Sequence, residues 1–183
     1  WPVEGGAGHG SVSTEHMIDC YALGVLAEKL GIPDATQLKD KAQRFVVDRA
    51  YDEDKHTYVI GTLSDCSTIN AVQGSPNDTN TWNMLAGVDD NEERKRASLL
   101  WTVENSMIEN DKGPGITFGN SSNGMCAQYE NTGALLNSIN EFHHVFGRKL
   151  PMNPKVVANV DRTFRFVRDQ IFAHRVIKAA YTP

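Results

Sequence analysis

Apolar residues recur at helical spacing in six stretches of this chain, and the polar residues between them carry helix start and stop signals. Ile18, Tyr21, Ala22, Val25, Leu26 and Leu30 form one stripe, with Ser13 placed to cap it and Gly31-Ile32-Pro33 to end it, which predicts a helix over 13–31. Leu38, Ala42, Phe45, Val46 and Ala50 predict a second over 35–50, and the short link makes the two an antiparallel pair. A third helix covers 79–87 and stops near Gly87. A fourth, over 90–109, opens on Asp89, Asp90, Glu92 and Glu93 and carries Ala97, Leu100, Trp101, Met107 and Ile108. A fifth spans 129–146 up to Gly147, and a sixth spans 154–180 after Pro151 and Pro154. The stretch His56 to Thr62 is β-rich and reads as a short strand or hairpin edge, whereas 111–127 reads as one long Gly/Asn/Ser-rich loop.

The expected class is therefore all-α: three consecutive α-hairpins with short β-hairpin or loop excursions, in a single domain over 1–183. At 183 residues, 40% hydrophobic and 22% charged, the chain has the composition of an ordinary globular domain with one sizeable core. A net charge of −5 argues against nucleic acid or an anionic membrane as partner. No apolar run has the roughly 20 residues a membrane span needs, and no signal-type apolar stretch is present. The chain opens on Trp1-Pro2 rather than Met, which reads as a processed product or a piece of something longer.

Cys20, Cys66 and Cys126 lack CxxC spacing, so no zinc site is expected. Cys20 falls in a helical stripe and reads as a buried, inert thiol; Cys66 and Cys126 sit in polar loops and are candidates for a disulfide. The tripeptides Asn77-Asp78-Thr79 and Asn120-Ser121-Ser122 match the N-glycosylation pattern, and the compartment reading leans extracellular. Glu141 with His143-His144 has no metal-ligand spacing, because adjacent helical residues point about 100° apart. No metal or cofactor is expected. Gly113-Pro114-Gly115 lacks the Lys of a phosphate loop, and the serines of 120–122 show no nucleophile elbow.

The chemistry-bearing pattern is an acid at the start of three of the six helices. These are Glu15 in Ser13-Thr14-Glu15-His16-Met17-Ile18-Asp19, Asp78 in Asn77-Asp78-Thr79-Asn80-Thr81-Trp82, and Glu130 in Gln128-Tyr129-Glu130-Asn131-Thr132-Gly133. A carboxylate there faces unpaired N–H groups and the positive dipole end, and three such helices side by side bring the acids to one face. Two or more carboxyl groups across a sugar-sized gap are how glycan-cleaving sites are commonly built.

These segments resemble the signatures of bacterial six-hairpin glycosidase-like proteins. The first is similar to their Thr-Glu-His-Asn-Ile-Asp motif. Asp78-Thr79-Asn80-Thr81-Trp82-Asn83-Met84-Leu85-Ala86 is similar to Asp-x-Gln-x-Trp-x-x-Leu-Ala. Gly124 through Tyr129-Glu130-Asn131-Thr132-Gly133-Ala134 is similar to Trp-Glu-Gly-Thr-Ala-Gln. The matches run in order over 13–134 and thin out beyond 147. Met17 departs from the pattern's Asn, and Asn131 and Gly133 from its Gly and Ala. The resemblance implies an (α/α)6 toroid, of which three hairpins make half. Either the remainder of a longer chain, the most economical reading, or an oligomer partner then completes the ring and covers the apolar flanks of the terminal hairpins, or the fold is a reduced variant of the ring.

On that resemblance Glu15 and Glu130 are the first catalytic candidates, one as general acid and one as base, against a plain reading in which both only complement helix dipoles. Asp78 is either a third site acid or the N-cap of its helix, with capping favoured. Asp19 lies one turn after Glu15 and, with His16, Asn80, Trp82 and Tyr129, makes the set of candidate substrate contacts; Trp82 reads equally as core, and Trp101 as core outright. The leading expectation is an inverting-type glycoside hydrolase acting on a polysaccharide or oligosaccharide. The alternatives are a non-catalytic carbohydrate-binding or assembly module, and a polysaccharide lyase or sugar epimerase using Tyr129, His16 or His143 as base.

Overall fold

The computed structural model describes residues 11–63, 68–70, 76–110, 113–119 and 126–174. Among these, six helices run in order: α1 (Thr14–Lys29), α2 (Ala35–Arg49), α3 (Asn77–Ala86), α4 (Glu92–Ser106), α5 (Tyr129–Phe146) and α6 (Pro154–His174). Two antiparallel pairs accompany them: β1 (Tyr51–Asp52) with β2 (Thr57–Tyr58), and β3 (Met107–Asn110) with β4 (Gly113–Ile116). The class is mainly helical, with the strands confined to the connections.

Local chemistry accounts for most boundaries. The Ser13 side chain accepts from His16 N–H at 3.4 Å, Asn91 from Arg94 N–H at 3.1 Å and Asn153 from Val156 N–H at 2.9 Å, so α1, α4 and α6 are capped by short polar side chains. Gly87 and Gly147 follow α3 and α5 with φ near +67° and +65°, a left-handed conformation that glycine adopts without a Cβ clash. The sequence expectation for α4 overshoots. Met107 and Ile108 continue the apolar spacing of the helix, but they pair with Ile116 and Gly115, so the stretch read as helix end and loop is a β-hairpin.

The first helices of the three pairs lie side by side, α3 packing against α1 on one flank and α5 on the other. α2 packs closely on α1, where a Cβ added to Gly24 would meet the Lys39 backbone at 2.9 Å. α4 covers α3 and also touches α5. α6 leans on α5 and β4, with the Phe166 ring over Gly113. Two apolar clusters result. Ile18, Val46, Ala50, Tyr51, Tyr58 and Val88 fill the space between the first two pairs; Met84, Leu99, Val103, Ile116, Leu135, Phe142 and Leu150 fill that between the second and third.

The central helix α3 serves both clusters and is buried nearly all round, although most of its buried residues are polar: Asn77, Asp78, Thr79, Asn80, Thr81 and Asn83. Apart from the Asn83 side-chain nitrogen, which has no hydrogen-bond partner among the described residues, their side chains bond inside the protein, as buried groups must to avoid a desolvation penalty. Asn80 Oδ1 accepts from the Thr57 hydroxyl and the Tyr58 N–H, both at 2.9 Å, and its amide donates to the Pro76 carbonyl at 3.0 Å. The Ser138 hydroxyl of α5 donates to the Thr81 carbonyl at 2.8 Å. Below α3, the Tyr58 hydroxyl donates to buried Asp89 at 2.7 Å, and Arg94 stands 3.6 Å from the same carboxylate. No described helix is long and apolar enough to cross a membrane.

Candidate active site

Glu15, Asp78 and Glu130 each sit in the first turn of their helices, α1, α3 and α5. Two short segments hold these three helix starts at one end of the molecule. Thr14 N–H donates to the Ile60 carbonyl at 3.0 Å and Ser13 bridges Gly61, while two residues earlier the Tyr58 carbonyl accepts the Thr79 hydroxyl at 3.0 Å. On the other flank Asn77 N–H donates to the Phe118 carbonyl and Gln128 N–H to the Ile116 carbonyl, each at 2.8 Å. Residues 58–61 thus clamp α1 to α3, and residues 116–118 clamp α3 to α5.

Asp78 lies between the other two acids and is only 6% exposed. Burial pushes its carboxyl up from the ordinary 3.8 to about 6, opposed by the hydrogen bond from the Thr79 N–H; the negative charge of Glu15, and then that of Glu130, adds to the rise. A carboxyl on the middle helix therefore senses an acid on each neighbouring helix. Glu15 is half-buried and Glu130 exposed. Among the described residues no three of His, Cys, Asp and Glu are grouped closely enough to hold one metal ion, so this trio interacts through space without forming a ligand cluster.

Asp78 is not a helix cap. The cap position belongs to Pro76, whose fixed φ starts α3 two residues earlier than the sequence indicates, and Asp78 Oδ1 accepts the N–H of its neighbour Thr79 at 2.7 Å. Asn80 is 1% exposed with both ends of its amide bonded within the protein, which makes it a brace between α3 and β2 and removes it from the substrate contacts. Trp82 is half-buried and packs on the cluster around Ile18 and Val46. Tyr129 is buried, whereas His16 and Asp19 are exposed on α1.

Other expectations change as well. Asn77 is fully buried, its amide donating to the Thr117 carbonyl at 2.6 Å and its oxygen accepting from the Ser106 hydroxyl at 2.9 Å, so a glycan cannot be carried there without opening the start of α3. Asn120 and Cys66 lie outside the described residues. The Cys126 thiol is free and exposed, and Cys20 is half-buried rather than buried. Trp101 is half-exposed on the outer face, lining with Tyr51 and Arg94 an open depression of about 530 Å³ to which none of the three acids contributes.

Sequence reasoning missed Thr14. It is fully buried one residue before Glu15, and its hydroxyl has no hydrogen-bond partner among the described residues. It also missed the supporting role of Asn77, Thr79 and Thr81, for which the unusual density of Asn and Thr over 77–83 was the available signal. No protein-family model matches the chain, and no curated protein matches it either.

Proposed function

We propose that this chain is a glycoside hydrolase-type domain, its three hairpins arranged as consecutive hairpins of an (α/α)6 toroid, working by carboxylate acid/base chemistry. One observation carries the reading: a buried carboxyl whose proton affinity is raised, Asp78, stands between two acids supplied by separate helices, Glu15 and Glu130. Hydrolysis of a glycosidic bond needs one carboxyl still protonated near its working pH and one carboxylate ionised.

In this reading Asp78 is the proton donor. It gives its proton to the leaving glycosidic oxygen as the bond from that oxygen to the anomeric carbon breaks. Glu15 or Glu130 takes a proton from a water whose oxygen forms the new bond from the opposite face, inverting the centre. Inverting chemistry places its two carboxyls about 6.5–9.5 Å apart to leave room for that water. Glu15 and Glu130 stand near enough for their charges to add to the raised proton affinity of Asp78. His16 and Asp19 are the exposed polar groups on α1 near Glu15 and available to meet sugar hydroxyls.

Release of reducing ends from a panel of plant, microbial and host glycans tests the reading, comparing the intact chain with Asp78→Asn and Glu130→Gln. Hydrolysis falling about 10²–10⁴-fold in both variants is the expected result. Binding of a glycan without hydrolysis by the intact chain moves the function to a carbohydrate-binding module. Neither binding nor hydrolysis removes the glycan reading.

A further inference from the structure

We propose that the depression on the outer face of α4 is a second glycan-binding site, suited to an uncharged sugar chain and separate from the acids at the helix starts. The ligand class rests in part on the glycan reading above; the place rests on the chemistry of the depression itself.

Glu93, Ala97, Trp101 and Glu104 recur at three- and four-residue steps, so one face of α4 lines the depression, and the turn between β1 and β2 adds Glu53 and His56. At His56 that turn takes a φ of +56°, a left-handed conformation that costs a residue with a Cβ more than it costs glycine. Trp101 joins neither apolar cluster. It is partly exposed in a hollow of about 530 Å³, and its indole N–H has no hydrogen-bond partner among the described residues. The side chains of His56 and Glu104 are likewise without a hydrogen bond or ion pair there.

The charges around these three side chains cancel. Glu53 pairs with Arg94, Glu93 with Arg96, and Lys55 with Asp52 at 3.5 Å. Arg94 is held further by the Val47 carbonyl at 3.0 Å and lies over the Tyr51 ring, 4.8 Å from its centroid. Every Lys and Arg lining the depression is thus engaged, with none left to select a phosphate or carboxylate, and Glu104 alone makes no cation site. The depression offers an aromatic ring, an N–H donor, a carboxylate acceptor and an imidazole that does both. A pyranose matches that set: its C–H face stacks on an aromatic ring while its hydroxyls donate and accept around the edge. A polysaccharide bound here as well as at the acids meets the chain twice, which raises its effective concentration at the acids.

The test is retardation of the intact chain in native gels containing hydroxyethylcellulose, arabinoxylan or galactomannan, with alginate as the acidic comparison. The expected result is retardation in at least one neutral gel, weakened about tenfold in Trp101→Ala. Glu104→Ala, at an exposed position, should weaken it too, and Trp101→Phe should keep part of it; unchanged circular dichroism confirms that these variants fold. Asp78→Asn should be retarded as the wild type is. A chain that binds through Trp101 yet hydrolyses nothing sinks the catalytic reading and keeps this one. Retardation that survives Trp101→Ala, that Asp78→Asn abolishes or that alginate alone produces overturns the proposal, as does unchanged migration in every gel.

Discussion

The Asn77 side-chain amide donates to the Thr117 carbonyl at 2.6 Å, fixing the first residue of the central helix to the segment that leads into α5. The neighbour of Asn77 is Asp78, so this one bond helps set where the middle carboxyl stands relative to Glu130. Replacing Asn77 with Ala removes that bond and strands the Ser106 hydroxyl in a buried site. The expected loss is about 2–4 kcal/mol, two buried hydrogen bonds and an unsatisfied donor, read as a lower urea midpoint with unchanged slope.

Asp78 makes stability fall as pH rises through acid to neutral. Its folded-state pKa of about 6 exceeds the ordinary 3.8, so between these values the native chain holds more proton than the unfolded one. Stability contributed by the protonated carboxyl is complete below the lower value and lost as pH climbs past the upper. Asp78→Asn should therefore be more stable than wild type at pH 7.5 by an amount on the order of 1–3 kcal/mol, with little difference near pH 4. Urea titrations of both chains at the two pH values check it; a wild type that is the more stable at pH 7.5 opposes the assignment.

Beneath the site, Tyr58→Phe leaves the buried Asp89 carboxylate without its 2.7 Å phenol donor, while Asn91 N–H remains at 2.8 Å. A charge-assisted bond of this kind is worth about 1.5–3 kcal/mol. The thermal midpoint should drop accordingly, and no drop would mean that Asp89 is held by Arg94 and Asn91 alone.

Gly24→Ala tests the packing of the first pair. The new Cβ would stand 2.8 Å from Lys39 Cβ and 2.9 Å from its backbone, so α1 and α2 must separate. Overpacking of this sort costs about 1–3 kcal/mol, measurable as a shifted denaturation midpoint, although alanine favours an isolated helix.

The order of helices was legible because Ser13, the acids around Asp89 to Glu93, Gly87 and Gly147 punctuate clear apolar stripes. The three acidic helix starts were legible for the same reason. Two things were not. The burial of Asn77, Thr79, Asn80 and Thr81 has no local signal, because nothing local shows that α3 is enclosed by two neighbouring pairs; only tertiary packing buries them. That same enclosure raises the Asp78 pKa and replaces its expected capping role. Met107 and Ile108 fit a helical and a strand pattern alike, and their cross-strand partners Ile116 and Gly115 decide between the two.

The most direct measurement is the titration of the Asp78 side-chain carboxyl followed by carbon NMR in the wild type, Glu15→Gln and Glu130→Gln. Three helix starts acting as one site predict a midpoint near 6 that moves down in each variant, because each removes one of the negative charges holding it up. A midpoint at the ordinary 3.8, or one that neither substitution moves, would contradict a shared site and leave Glu15 and Glu130 as independent surface acids.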